Sequence, residues 1–393
     1  MSTKNGLDAL LARDCAPLRG KAIGVVCNQA SIASDGRHIL DHLLPLHQRG
    51  DLKIVAAFGP QHGIWGHTQD NMIEWEGYED ARTGLRFHSL YGACRKPTPQ
   101  MLEGIEVLVV DIVDVGARYY TFVWTLALCI KACRALGIEV VVLDRVNPIN
   151  GVTVEGTVLD PAFDSFVGLY PLPTRHGMTA GEIARYVEAT QFPGAKVTVV
   201  GVEGWDRAAY HDETGLPWAI PSPNMPTVDT AVVYPGMCLL EATNVSEGRG
   251  TTRPFEICGA AWLDSWAFCD ALNAEGLPGV YFRPFPFQPT FHKHAGAYCG
   301  GAFLHVFDRA VFEPVLAGVA VMQAAHRCGG GKFAWNPPPY EYEEVKRPID
   351  ILAGNAWLAE AVDNLWPLPR VRERMAAECA AFEATRRAII TKP

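Results

Sequence analysis

Five short runs along the chain are apolar without alternation, and each ends in turn formers. They are KAIGVVCNQ from Lys21, KIVAAFGPQHG from Lys53, IEVLVVDIVDVG from Ile105, IEVVVLDRVNPI from Ile138 and KVTVVGVEGW from Lys196. A strand buried on both faces reads this way, because neither face is left for water. Between the runs the period changes. Ile39, Leu40, Leu43 and Leu44 recur at helical spacing within Asp35 to Gln48. Thr98 followed by Pro99 predicts a helix start, and YTFVWTLALCIKACRALG predicts a helix stopped by Gly137. Thr179-Ala-Gly-Glu182 is a capping box that opens a helix through Ala189.

Strand and helix in alternation predict an α/β fold, a Rossmann-like, doubly wound and mainly parallel sheet with right-handed crossovers. No G-x-G-x-x-G follows the first strand, so no dinucleotide is expected and no cofactor is assigned. Past residue 253 the texture shifts. GAAWLD, VYFRPFPFQPTF and GAYCGGAFLHVFD predict strands, with helices near 265–275, 311–327 and 350–365 and a charged amphipathic helix from Arg370 to Ile390. The expected division is a Rossmann-like domain over 1–253 and a smaller mixed α+β domain over 254–393. At 393 residues two cores are the default.

Charge narrows the partners. A net charge of −9 with no basic stripe argues against nucleic acid. No apolar run reaches the roughly 18 residues of a membrane span. The first twenty residues carry Asp8, Arg13 and Asp14 and no apolar h-region, so a cytoplasmic location is expected, with no membrane partner. The eleven scattered cysteines read as reduced core residues. His292 and His294 sit on one face of a possible strand without an identifiable third ligand, so no metal site is assigned.

Polar residues gather at the carboxyl ends of the predicted strands, where ligands of such sheets bind. These are Asn28 and Gln29, Gln61 and His62, Asp111 and Asp114, then Asp144, Arg145 and Asn147. Asp70, Glu74 and Glu76 in the following loop and Glu155 past the fourth strand would face the same opening. Two carboxylates across a cleft suit glycosidic cleavage: one protonates the leaving oxygen, the other acts at the anomeric carbon. The competing reading makes the loop acids solvated charges and Glu155 a turn residue. Arg118 pairs with Asp114 or touches substrate, and Tyr120 offers a ring to a sugar. Arg175 and His176 precede a helix N-terminus suited to an anion. The stretch Pro221 to Glu256 packs Asn224, Glu241, Asn244, Glu247, Arg249 and Arg253 among turn formers, and is read as the floor of a polar pocket.

GPQHGIWGHTQDNM, SLYG with KPTPQML, DIVDVGARYYTF, LDRVNPI with VEG, RHGMTAGE, and PSPNMPT through YPGMCLLEATNVSEGRGTTRPFE together resemble a bacterial family once known only as a domain of unknown function. These are the YbbC-like or NamZ-type proteins, which include exo-acting β-N-acetylmuramidases of peptidoglycan turnover. The resemblance spans nearly the whole chain. It implies a Rossmann-like domain plus a smaller C-terminal one, a cleft holding two acids, and removal of N-acetylmuramic acid from non-reducing ends without metal or nucleotide. Many relatives read P-E-H-G where this chain has Pro60-Gln61-His62-Gly63. A glutamine is neither acid nor base, so the resemblance assigns catalysis to Glu74 or Asp70 together with Glu155. Arg249 or Arg175 would bind the lactyl carboxylate. The alternatives are a sugar-binding protein without catalysis, motivated by Gln61, and a hydrolase of another glycoside or of an amide.

Overall fold

The computed structural model describes residues 2–69 and 72–390. In chain order the first part holds α1 (Gly6–Ala12), β1 (Ala22–Cys27), α2 (Ile39–Gln48), β2 (Lys53–Gly59), β3 (Tyr78–Glu79), β4 (Arg86–Ser89), β5 (Val107–Asp111), α3 (Phe122–Leu136) and β6 (Glu139–Leu143). It continues through β7 (Glu155–Val158), β8 (Pro173–Arg175), α4 (Ala180–Thr190) and β9 (Val197–Val200). The second part holds α5 (Val228–Met237), β10 (Ile257–Ala260), α6 (Ser265–Asn273), β11 (Val280–Pro284), β12 (Gly300–Val306), α7 (Pro314–Cys328), α8 (Pro348–Ala353), α9 (Trp357–Asp363) and α10 (Leu368–Ile390).

The central sheet runs β3-β4-β2-β1-β5-β6-β9. All five apolar runs are in it and all pair in parallel. Strand β4 adds a further parallel neighbour, and the two-residue β3 closes that edge antiparallel. The faces are covered differently. Leu7, Leu10, Leu40 and Leu43 of α1 and α2 pack on one side. On the other, α3 and α4 join a core that runs on into the C-terminal helices. The capping box forms as expected, with Thr179 Oγ1 accepting from Glu182 N at 3.2 Å and Glu182 Oε2 accepting from Thr179 N at 2.9 Å. Gly137, at φ 71°, ends α3 in the left-handed conformation that a residue with a Cβ resists.

The helix predicted from Pro99 does not form. Residues 99–104 make only turns, which lead straight into β5 at Val107. The C-terminal strands form an antiparallel sheet, β10-β12-β11. Helix α5 lies before the expected boundary near 253 yet packs on α7: a Cβ on Gly236 would stand 1.7 Å from Pro314 O, so the two backbones touch. The strand order reverses between β1 and β5, and the polar cavity opens beyond that point.

Candidate active site

The loop after β2 supplies Gln61 and His62, the loop after β5 supplies Tyr119, Tyr120 and Thr121, and the Pro221–Glu256 stretch closes the cavity from below with Asn224, Glu241 and Arg249. The last wall is Tyr340 and Glu341, contributed by the segment before α8. The space, mouth included, is about 420 Å³.

Two carboxylates meet in it, in different states. Glu341 is 2% exposed. Its Oε1 accepts from Gln61 Nε2 at 3.1 Å and its Oε2 from the Tyr91 hydroxyl at 2.8 Å. Gln61 is itself fixed, because its Oε1 accepts from Thr121 Oγ1 at 2.6 Å. Burial pushes the Glu341 carboxyl up to about 7, against the pull of the Tyr91 hydroxyl and with help from the charge of Glu241, while Gln61 and Arg249 oppose it more weakly. Glu241 has the opposite surroundings: Arg249 Nη2 donates to its Oε1 at 2.8 Å and the Tyr340 hydroxyl to its Oε2 at 2.5 Å. Arg249 is anchored from behind by Glu247, with Nε to Oε1 at 3.2 Å. Burial works against ionised Glu247, but Lys293, His292 and Arg249 together hold it well below the usual carboxylate range. Thus one acid is raised by burial while its neighbour is gripped by an arginine and a tyrosine hydroxyl, the unequal surroundings that acid/base chemistry requires.

The backbone here is strained. Glu341 at φ 46° and Tyr342 at φ 67° are consecutive left-handed non-glycine residues, and His62 at φ 69° faces them across the cavity. Such residues persist only where the surroundings enforce them, and they cluster at functional sites. His62 is enforced through Nδ1, 2.8 Å from Thr68 O.

Of the residues read from the sequence, Gln61, His62, Tyr120, Asn224 and Arg249 line the cavity, and Glu247 stands directly behind Arg249. Asn224 is held by its Nδ2 donating to Gln69 O at 2.9 Å. Asp70 lies outside the described residues. Glu74 is exposed and does not line the cavity; it stands beside Tyr342, which packs edge-on against Tyr91 at 5.4 Å.

The remaining assignments need correction. Glu155 does not face Glu74 across a cleft. Its Oε1 accepts from the backbone N–H groups of Val315 and Leu316, at 2.9 and 3.1 Å, so it caps the first turn of α7 behind Tyr119. Arg118 is fully buried and donates to the carbonyls of Thr157, Leu172 and Leu352, clamping three segments rather than a ligand. Arg175 is spent on Ile149 O and the Tyr210 hydroxyl, and it too is buried away from the cavity. Asn147 bridges Ile149 N and Met178 O, and Asn244 pins the Lys332–Ala334 segment. His176 is sealed against Asp114, with Nε2 to Oδ2 at 3.2 Å, and neither lines the cavity. These polar residues satisfy buried backbone, which strand-end loops must do whether or not a ligand binds nearby. His292 and His294 lie in a turn at positive φ, not on a strand.

The reassignment of Glu155 is testable. Burial first, against Arg175, raises its carboxyl to about 7 from an ordinary 4.5. The folded chain therefore binds this proton more tightly than the unfolded chain, and its contribution to stability falls as pH rises from about 4.5 to 7. Glu155→Gln keeps the accepting oxygen and removes the charge. Its melting temperature at pH 8 should equal or exceed wild type, with activity within about twofold. A collapse of activity in a folded variant would return Glu155 to the catalytic pair.

Glu241 and Glu341 were each within reach of the sequence. Glu241 belongs to the stretch read as the pocket floor. Glu341, in PPPYEYEEV, carries a weaker signal: acids alternating with tyrosines after a proline run, in the part assigned to a separate domain.

Residues 23–229 match the N-terminal model of the exo-β-N-acetylmuramidase NamZ, and residues 232–391 match its C-terminal model. The peptidoglycan β-N-acetylmuramidase NamZ of Bacillus subtilis strain 168 is 42% identical over 361 residues, which is 92% of this chain and 84% of that protein. Two DUF1343 family proteins of Bacteroides fragilis have similar crystal structures. One superposes with a TM-score of 0.87 at 29% identity and full coverage of both chains. The other gives 0.76 at 25% identity, covering 99% of this chain and 98% of its own. With both halves matched in order and one relative this close over most of its length, the chain belongs to the NamZ family of exo-β-N-acetylmuramidases.

Proposed function

We propose that this protein is a glycoside hydrolase that removes N-acetylmuramic acid from the non-reducing end of peptidoglycan fragments, with Glu341 as the general acid and Glu241 as the carboxylate at the anomeric carbon. The observation that carries the assignment is the unequal pair: one buried carboxyl raised to about 7 and its neighbour fixed by an arginine in the same cavity. Protonated Glu341 donates its proton to the glycosidic oxygen as that bond breaks, and the aglycone leaves as a neutral alcohol. Glu241 meets the positive charge that develops at the anomeric carbon. Water supplies the hydroxyl of the released sugar and the proton that restores Glu341. Arg249 and the Tyr340 hydroxyl donate to Glu241 and hold it in place.

Gln61 has a part in this arrangement that needs no titration. Its amide donates to Glu341 and is locked by Thr121, so it orients the acid. That removes the ground for a purely binding role. The test is release of a chromogenic aglycone from a β-N-acetylmuramide, with the matching glucosaminide alongside. Turnover of the muramide is the expected result. No turnover of either glycoside, by protein shown to be folded, would overturn the reading.

A further inference from the structure

The proposed substrate differs from N-acetylglucosamine by a lactyl group that ends in a carboxylate. A cavity already holding Glu241 and Glu341, with Glu247 behind, repels such an anion unless a cation faces it. The cations named in the sequence reading are committed elsewhere. Arg249 grips Glu241 and Glu247, and Arg175 and Arg118 hold backbone carbonyls. Lys293 donates to Glu247 and to the carbonyls of Leu240 and Val245.

Arg95 is placed differently. Its guanidinium carbon stands 4.3 Å from the centre of the Tyr342 ring and 5.7 Å from that of Phe166. Both rings also pack on Tyr91, whose hydroxyl donates to Glu341. The residues next to them in sequence, Glu341 and Val167, line the cavity. Arg95 is half-buried, and among the described residues it makes no ion pair. Stacking fixes the plane of a guanidinium while leaving its N–H edge open, and that edge matches a carboxylate bidentately.

We infer that Arg95, held on the rings of Tyr342 and Phe166 whose sequence neighbours line the cavity, is the specificity residue that receives the lactyl carboxylate of the terminal muramic acid. This rests on the reading of the cavity as a muramidase site. It is tested by comparing a β-N-acetylmuramide with its lactyl carboxamide analogue, in wild type, Arg95→Ala and Arg95→Lys. The wild type should favour the acid over the amide in kcat/KM. Arg95→Ala should lower that preference about 30-fold, the size of a lost hydrogen bond to a charged group. Arg95→Lys should keep an intermediate preference, because it retains the charge and loses the fork. A merely structural arginine would depress both substrates equally and leave the ratio intact, which would overturn the inference. Should the wild type hydrolyse neither glycoside, the hydrolase reading fails on its own. Calorimetric affinity for free N-acetylmuramic acid against N-acetylglucosamine then decides the case of Arg95 separately. A preference that survives Arg95→Ala sinks it.

Discussion

Glu341→Gln should lower kcat on a muramyl disaccharide by about 10²- to 10⁴-fold, the range contributed by a positioned general acid. The loss should shrink on a nitrophenyl muramide, because a nitrophenolate leaves without help from a proton. The pH profile separates this role from a structural one. Glu341 must be protonated to act, and its carboxyl is raised to about 7, so wild-type kcat/KM should fall as pH rises through that value. The variant has no such group and should lose that limb. The contribution of Glu341 to stability should follow pH in the same direction. A carboxyl raised in the folded state favours folding most at low pH, and that contribution is lost as pH rises from about 4.5 to 7. The glutamine variant should therefore unfold at an equal or higher temperature than wild type at pH 8. A folded variant that keeps both its rate and its alkaline limb would remove Glu341 from the mechanism.

The five buried strands announce themselves because a parallel sheet covered on both faces leaves no polar position inside it. Apolar runs such as Val107–Asp111 are therefore continuous. The crevice follows from topology, since ligands of such sheets sit beyond the strand ends, and Gln61, His62 and Tyr120 are found there. What failed was the sorting of polar residues within those ends. Arg118, Arg175, Asn147 and Asn244 have the right chemistry in the right loops, yet each closes on backbone carbonyls or amides. The demand of a buried loop for hydrogen-bond partners selects the same residue types as a ligand does, and a single sequence does not separate the two.

Glu341 was missed for a different reason. It lies 280 positions from the glutamine that orients it, and the contact exists only because the segment before α8 folds back over the first sheet. The Glu155 reading fails by a further route: a carboxylate accepting from the first N–H groups of a helix is a common structural use of an acid, and α7 begins at Pro314, far off in sequence. A sequence announces a site's local pieces through composition. It announces the long-range pairing of those pieces hardly at all.

The second large effect belongs to Glu241, whose substitution should act on two observables together. Glu241→Gln removes the negative charge that opposes the positive charge developing on the sugar, and kcat should fall at least about 10²-fold. Arg249 remains paired with Glu247, so the cavity is not left with a bare buried cation and the variant should fold. The charge of Glu241 is also one of the causes that raise Glu341. With it gone, the Glu341 carboxyl should drop below 7, and the alkaline limb of the residual activity should shift to lower pH. That displacement distinguishes a carboxylate that shares the cavity with the acid from one that merely supports a loop, because a loop residue would change the rate without moving the acid's titration. A limb left at its wild-type position after Glu241→Gln, as read from kcat/KM between pH 5 and 9, would mean that the two glutamates do not sense each other, and the paired-acid mechanism would fall with that result.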